Sequence, residues 1–255
     1  MALSIRGFSK SYAKDGERVH VLRGVTLNVE HGEVIALLGR SGVGKSTLLR
    51  SLAALEPIDE GDAWLDGVQY LAGGKPLLPT WQIARSVGMV FQDFRLFPNM
   101  RVIRNITLAA ERVRGLSRRD AQALARRVAD LLDVGDVLER YPSEISGGQA
   151  QRVALARALV VQPKVLALDE VTAALDPITV GTMIEALKSI REVEGAVGAN
   201  QQSAIILVTH ALRFAESFAD RIAFMADGVI VQDGPARDFR QSNNPSVAQY
   251  VSHVL

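Results

Sequence analysis

The chain has 255 residues, enough to bury a core as one large domain or as a domain with a lobe. Its 29 Lys plus Arg against 28 Asp plus Glu do not advertise a polyanionic partner, and the lack of cysteine excludes a disulfide framework and a thiolate metal site. No 18 apolar residues run together and MALSIRGFSK lacks the apolar stretch of a signal peptide, so a soluble cytosolic protein that does not cross a bilayer alone is expected.

Along the chain, the first thirty residues alternate apolar and polar and carry turn residues, which predicts antiparallel strands. EVIALL (33–38) is a continuous apolar run. A glycine loop follows, then KSTLLRSLAAL, a helix whose Leu48, Leu49, Leu52 and Leu55 share one face. Further apolar runs stand at 87–91, 164–169 and 204–209. Continuous apolar strands separated by helices predict a parallel sheet covered on both faces. Residues 94–162 read as a mostly helical lobe inserted between two sheet strands. Leu124, Val128, Leu131 and Leu132 form one of its faces, with Ser117 and Asp120 as a cap. EVEGAVGANQQS (192–203) reads as a polar loop, and two short helical stretches follow Gly234, the second opening near Pro245. The expected division is one unit over 2–241 that includes the lobe, then a short helical tail over 242–255.

GRSGVGKST (39–47) places Gly39, Gly44, Lys45 and Ser46 in the pattern G-x-x-x-x-G-K-[ST], between a strand and a helix. Glycines let the backbone curl, so that successive N–H groups along Gly39, Arg40, Ser41, Gly42, Val43, Gly44, Lys45, Ser46 and Thr47 point at phosphate oxygens. Lys45 would reach the β- and γ-phosphates and the Ser46 hydroxyl would ligate Mg²⁺. VLALDE ends a buried strand on Asp169 and Glu170. Ligands of parallel α/β sheets bind beyond the carboxyl ends of the strands, so these acids should face the loop. There Asp169 holds Mg²⁺ through its water shell and Glu170 positions or deprotonates an attacking water; alone, the pair would read equally well as two solvated acids. In SEISGGQAQR (143–152), Ser146 and Gln149 have capping-box spacing, and two glycines bare the N–H groups of a helix start that attracts anions.

Together these motifs resemble the ATP-binding subunit of an ABC transporter. The glycine loop is similar to the Walker A motif, VLALDE to Walker B and ISGGQAQR to the ABC signature. Gln92 of MVFQDF resembles the Q-loop glutamine, implying a share in catalysis and in the metal site. Asp176 of AALDP resembles the D-loop, His210 of LVTH the catalytic switch histidine, and Tyr12 the aromatic that stacks on adenine. The similarity covers nearly the whole chain. It implies the α/β fold of a P-loop NTPase (RecA-like), with a mostly parallel sheet core, an N-terminal antiparallel β-subdomain and an inserted α-helical lobe.

The resemblance also implies ATP and Mg²⁺, and a head-to-tail homodimer in which each ATP lies between one Walker A and the other subunit's signature. Ser146, Gly147, Gly148 and Gln149 would thus meet the partner's nucleotide, the first three at its γ-phosphate. Further partners implied are two transmembrane permease subunits and, indirectly, a solute-binding protein. The chain would then be peripheral, on the cytoplasmic side of the cell membrane. GMVFQDFRLFP, YPSEISGGQAQRVALARAL and the short tail are most similar to polar amino acid importers. Phosphonate and other small-solute importers, and lipoprotein-release or cell-division systems, are the alternatives. A soluble ABC ATPase acting on DNA or ribosomes fits less well, because there is one cassette, no cysteine and no heptad insertion; no nucleic-acid partner is expected.

Single residues also admit plainer readings. Ser146 with Gln149 is a sound cap in its own right, and Asp176 before Pro177 is equally an ordinary N-cap. His210 and Gln92 can be plain strand-end residues, and Tyr12 a surface aromatic on an edge strand. FQDFRLFPNM (91–100) suits equally a groove for a membrane subunit's helix and the core between the lobes. Nine Arg and two acids between 95 and 127 suit anionic headgroups, an acidic partner or a solvated face. The chain departs from the family pattern at Val171, where Pro is usual, and at Ala150, Ala173 and Ala211.

Overall fold

The computed structural model describes residues 1–171, Leu187 and 203–254. Strands β1 (Leu3–Lys14) and β2 (Glu17–Val29) pair antiparallel across Asp15–Gly16, with φ values of 52° and 83°. Two successive left-handed residues are what a two-residue type I′ hairpin requires, and Asp-Gly supplies them at low steric cost. After β3 (Val34–Gly39) and α1 (Lys45–Leu52), the same dipeptide at 66–67 joins β4 (Glu60–Leu65) to β5 (Val68–Ala72), and β6 (Lys75–Pro76) completes a sheet of order β2-β1-β4-β5-β6. The predicted antiparallel start is therefore present, and it gains three strands from 60–76 that the apolar pattern did not announce.

Helix α2 (Thr80–Ser86) leads into β7 (Val87–Val90), and the chain then leaves the sheet for the lobe. The lobe holds α3 (Val102–Arg114), α4 (Arg118–Leu131) and α5 (Gly147–Leu159), with 3₁₀ turns at Gly135–Val137 and Pro142–Glu144. It returns to β8 (Val165–Asp169). The described residues continue with β9 (Ala204–Val208), α6 (Leu212–Phe218), β10 (Arg221–Ala226), β11 (Val229–Pro235), a 3₁₀ turn over Ala236–Gln241 and α7 (Pro245–Val254). The second sheet runs β11-β10-β3-β9-β8-β7, parallel except for β11. This is the expected α/β architecture.

Alternation along the buried strands distributes their side chains between layers. Ile35, Leu37, Ala167 and Ile206 face the core shared with α1 and the antiparallel sheet, whereas Leu166, Leu168, Ile205 and Leu207 face the lobe. Each such fully buried Leu or Ile contributes roughly 1.5–3 kcal/mol, so the sheet is held from both faces. Among the described residues no helix is long and apolar enough to cross a membrane.

Two helical faces differ from expectation. Helix α1 ends at Leu52, Ala54 takes φ 53°, and Leu55 lies 50 % exposed outside the core. In α4 the Ser117 hydroxyl accepts the Asp120 N–H at 3.2 Å as predicted, but Leu131 is 41 % exposed. The buried stripe of α4 is Ala121, Leu124, Ala125, Val128 and Ala129, and Leu131 falls at its edge. The arginine-rich lobe is partly neutralised by acids, some from outside the 95–127 window. Arg101 and Arg126 reach Glu139 at 3.2 and 3.6 Å, Arg95 reaches Asp93 at 3.1 Å, and Arg104 holds Glu111 at 2.6 Å. Asp176, Ala173 and residues 192–202 of the polar loop lie outside the described residues.

Candidate functional site

The strand order sets the carboxyl ends of β3, β9, β8 and β7 side by side. From them leave, in turn, the glycine loop, Thr209–His210, Asp169–Glu170 and Gln92.

The loop is shaped by two close approaches. At Gly39 (φ 149°) a Cβ would strike the Met225 carbonyl oxygen. At Gly44 (φ 109°), the N-cap of α1, a Cβ would lie 2.8 Å from the Val21 carbonyl oxygen and 3.0 Å from Leu22 Cδ2. Gly44→Ala is therefore expected to cost on the order of 2–4 kcal/mol in a chemical denaturation series, from left-handed strain and from displaced β2 backbone.

Lys45, only 4 % exposed, donates from Nζ to the Gly39 and Arg40 carbonyls at 2.9 and 3.0 Å, closing the loop around its ammonium. Burial pushes this lysine below its ordinary pKa, while the Glu170 and Asp169 carboxylates oppose that shift. The Ser46 hydroxyl donates to Asp169 Oδ1 at 2.6 Å, and the Arg50 guanidinium stands 3.7 Å from Oδ2. Burial raises the Asp169 pKa, opposed by Ser46 and Arg50. Ser46 and Asp169 are hard oxygen donors on one spot, the set that suits Mg²⁺ when phosphates and waters complete its shell. Among the described residues no three or more His, Cys, Asp or Glu form an all-protein cage.

Glu170 takes φ 50°, and its N–H donates to the Val208 carbonyl at 3.1 Å. A left-handed glutamate is a strained placement of the kind that accompanies working sites. Its Oε1 lies 2.8 Å from His210 Nε2, and the Tyr250 hydroxyl of α7 donates to the His210 carbonyl at 3.3 Å. A carboxylate held by an imidazole beside a buried lysine can orient a water and take its proton.

Gln92 is exposed just beyond β7. The turn after it puts Phe94 and Arg95 at φ 57° and 47°, and Arg157 of α5 secures it by donating to the Phe94 and Arg95 carbonyls at 2.7 and 2.6 Å. Phe94 and Leu96 pack on the lobe core, whereas Phe97 is 46 % exposed. The core reading of 91–100 thus holds for those two side chains and not for Phe97.

Tyr12 lies opposite Val19 in the first hairpin, 37 % exposed, with Lys10 Nζ 5.0 Å from its ring centroid. Burial raises its pKa, opposed by the neighbouring Thr47 side chain, so the ring stands beside the end of the glycine loop. Val21, Arg40, Ser41, Val43 and Gly228 help line a cleft of about 470 Å³.

At the start of α5 the Ser146 hydroxyl accepts the Gln149 N–H at 3.2 Å and Gln149 Oε1 accepts the Ser146 N–H at 3.0 Å, the predicted capping box. Ser146 and Gly147 are exposed, and α5 packs on α3, α4 and β7. Among the described residues no hydrogen bond or ion pair joins residues 146–149 to the loop at 39–47. One chain therefore gathers Lys45, Ser46, Asp169, Glu170, His210 and Tyr12, and leaves the Ser146 helix end facing outward. Arg50, Arg157 and Tyr250 were not singled out in the sequence, because no local spacing signals their long-range contacts.

Residues 22–173 match the family model described as ABC transporter. The chain is 39 % identical over 237 residues to a glutamine transport ATP-binding protein of Geobacillus stearothermophilus, with 92 % of this chain and 93 % of that one covered. It is 40 % identical to a glutamate transport ATP-binding protein of Corynebacterium glutamicum, with 92 % and 93 % covered. An L-cystine transport system ATP-binding protein of Escherichia coli is also 40 % identical, with 92 % of each chain covered. Among solved structures, the dimeric post-hydrolysis state of the ATP-binding cassette MJ0796 bound to ADP and Pi superposes with a TM-score of 0.79 at 28 % identity, covering 92 % of this chain and 99 % of that one.

Proposed function

This chain belongs to the ABC transporter family, and from that premise we propose that it is the ATPase of a polar amino acid importer. It works as a head-to-tail homodimer with two composite ATP sites. The dimer docks as a peripheral unit on the cytoplasmic side of two membrane-spanning permease subunits, which receive their cargo from a solute-binding protein. The transport names of the glutamine, glutamate and cystine relatives support the cargo class. The observation that carries the shared-site reading is that the capped, exposed Ser146 helix end makes, among the described residues, no hydrogen bond or ion pair to the loop that holds Lys45.

In this reading the amides of 39–47 and the Lys45 ammonium bind the phosphates, and Tyr12 stacks on adenine, worth roughly 1–3 kcal/mol by analogy with base–aromatic stacking. Ser46 and Asp169, with Gln92, would hold Mg²⁺, which would supply charge neutralisation at the phosphates. Glu170 accepts a proton from the attacking water, and His210 fixes Glu170 and faces the γ-phosphate. Ser146, Gly147 and Gly148 offer N–H donors and a positive helix end to the partner's γ-phosphate. Asp176 follows Walker B, where the D-loop of the family stands.

Phosphate release by the purified chain is the test. It should require Mg²⁺ and should rise more steeply than linearly with protein concentration while dimers are scarce. Release strictly proportional to concentration from a monomer would overturn the shared site.

A further inference from the structure

We infer that Gln151 is a positioning residue that links the start of α5 to the strand end carrying Glu170. The inference rests on the shared-site reading and gives it a route from one ATP pocket to the other. Gln151 is fully buried, and both its carboxamide nitrogen and oxygen lack a hydrogen-bond partner among the described residues. With Val90, Leu155, Leu168, Val171 and Leu187 it lines a narrow gap with no room for a water-sized sphere. Apart from Gln151 that lining is apolar. A methionine would fill the same space without stranding a donor and an acceptor, so the amide is a cost in this arrangement.

The place of the gap says what the amide is for. Val90 ends β7, two residues before Gln92, and Leu168 and Val171 bracket Asp169 and Glu170. A small shift of α5 would carry the carboxamide toward the main chain at these two strand ends. Gln151 stands five residues after Ser146 on the same helix, about 7.5 Å along its axis. A helix moves as a rod, so a phosphate drawn onto Ser146–Gly148 displaces Gln151 with it. The carboxamide then takes a main-chain partner at the ends of β7 and β8. Through it, the partner's nucleotide sets the position of this chain's own Glu170.

Gln151→Met and Gln151→Leu, made in the full chain, test this against the wild-type dimer. Both should keep or raise the thermal midpoint, because an unpaired amide is removed. Nucleotide affinity of the monomer should stay unchanged, kcat should fall on the order of tenfold, and the Hill coefficient for ATP should drop from above one toward one. Wild-type kcat and cooperativity in either variant would overturn the inference. So would a lowered midpoint in both variants, which would mean that the amide is already bonded in the resting fold. A wild-type enzyme without cooperativity would instead remove the shared-site reading, and the inference with it.

Discussion

Glu170→Gln is expected to lower ATP turnover by about 10²- to 10⁴-fold and to leave a dimer that persists in ATP. The amide keeps the shape of the carboxylate and can still bond His210, which lies 2.8 Å from Oε1. It does not take a proton from water at neutral pH, so binding steps survive while the chemical step stops. Asp169, Ser46 and Lys45 are untouched by the change, and phosphate binding is retained. The dimer that ATP assembles then has no hydrolytic route back to monomers. Size-exclusion chromatography with and without excess ATP reads this directly: the variant should elute as a dimer only with nucleotide. A variant that hydrolyses ATP at the wild-type rate would take Glu170 out of the chemistry. One that remains monomeric in excess ATP would contradict closure around shared nucleotides.

The cluster of Lys45, Ser46, Asp169 and Glu170 was legible in the sequence because its main parts are contiguous. Residues 39–47 form one loop, and 169–170 close one strand, so a local pattern and the apolar runs before it placed both. The Ser146–Gln149 cap was legible for the same reason. Contacts made by residues far apart in the chain were not. Arg50 projects from α1 to Asp169, Arg157 from α5 to the carbonyls at 94–95, and Tyr250 from α7 to the His210 carbonyl. No rule of spacing joins such pairs until the sheet order is known. Strands β4, β5, β10 and β11 have a usable signal in Asp66-Gly67 and Asp227-Gly228, each left-handed at both residues, which a pattern of long apolar runs does not contain. Leu55 and Leu131 show the opposite error. Periodicity assigned them to buried faces, but a helix end and the edge of a stripe put them in solvent.

Ser146→Arg is expected to abolish hydrolysis by the dimer, at least 10²-fold in kcat, while leaving nucleotide binding to the monomer within about twofold. The substitution removes a cap, which costs about 0.5–2 kcal/mol at the start of α5, and sets a cation at the positive end of the helix dipole. Its bulk also occupies the place where the partner's phosphate would approach the Gly147 and Gly148 amides. None of this touches the chain's own loop, to which residues 146–149 make no hydrogen bond among the described residues. A second variant, Lys45→Ala, damages the loop and spares the helix end. Each variant alone forms two damaged composite sites per dimer and should be inactive. Mixed, they form heterodimers in which the Ser146→Arg chain's loop meets the other chain's intact Ser146, so one site per heterodimer is whole and activity partly returns. A mixture as inactive as its components, with heterodimers verified by differential tagging, would mean that each helix end serves its own chain's pocket.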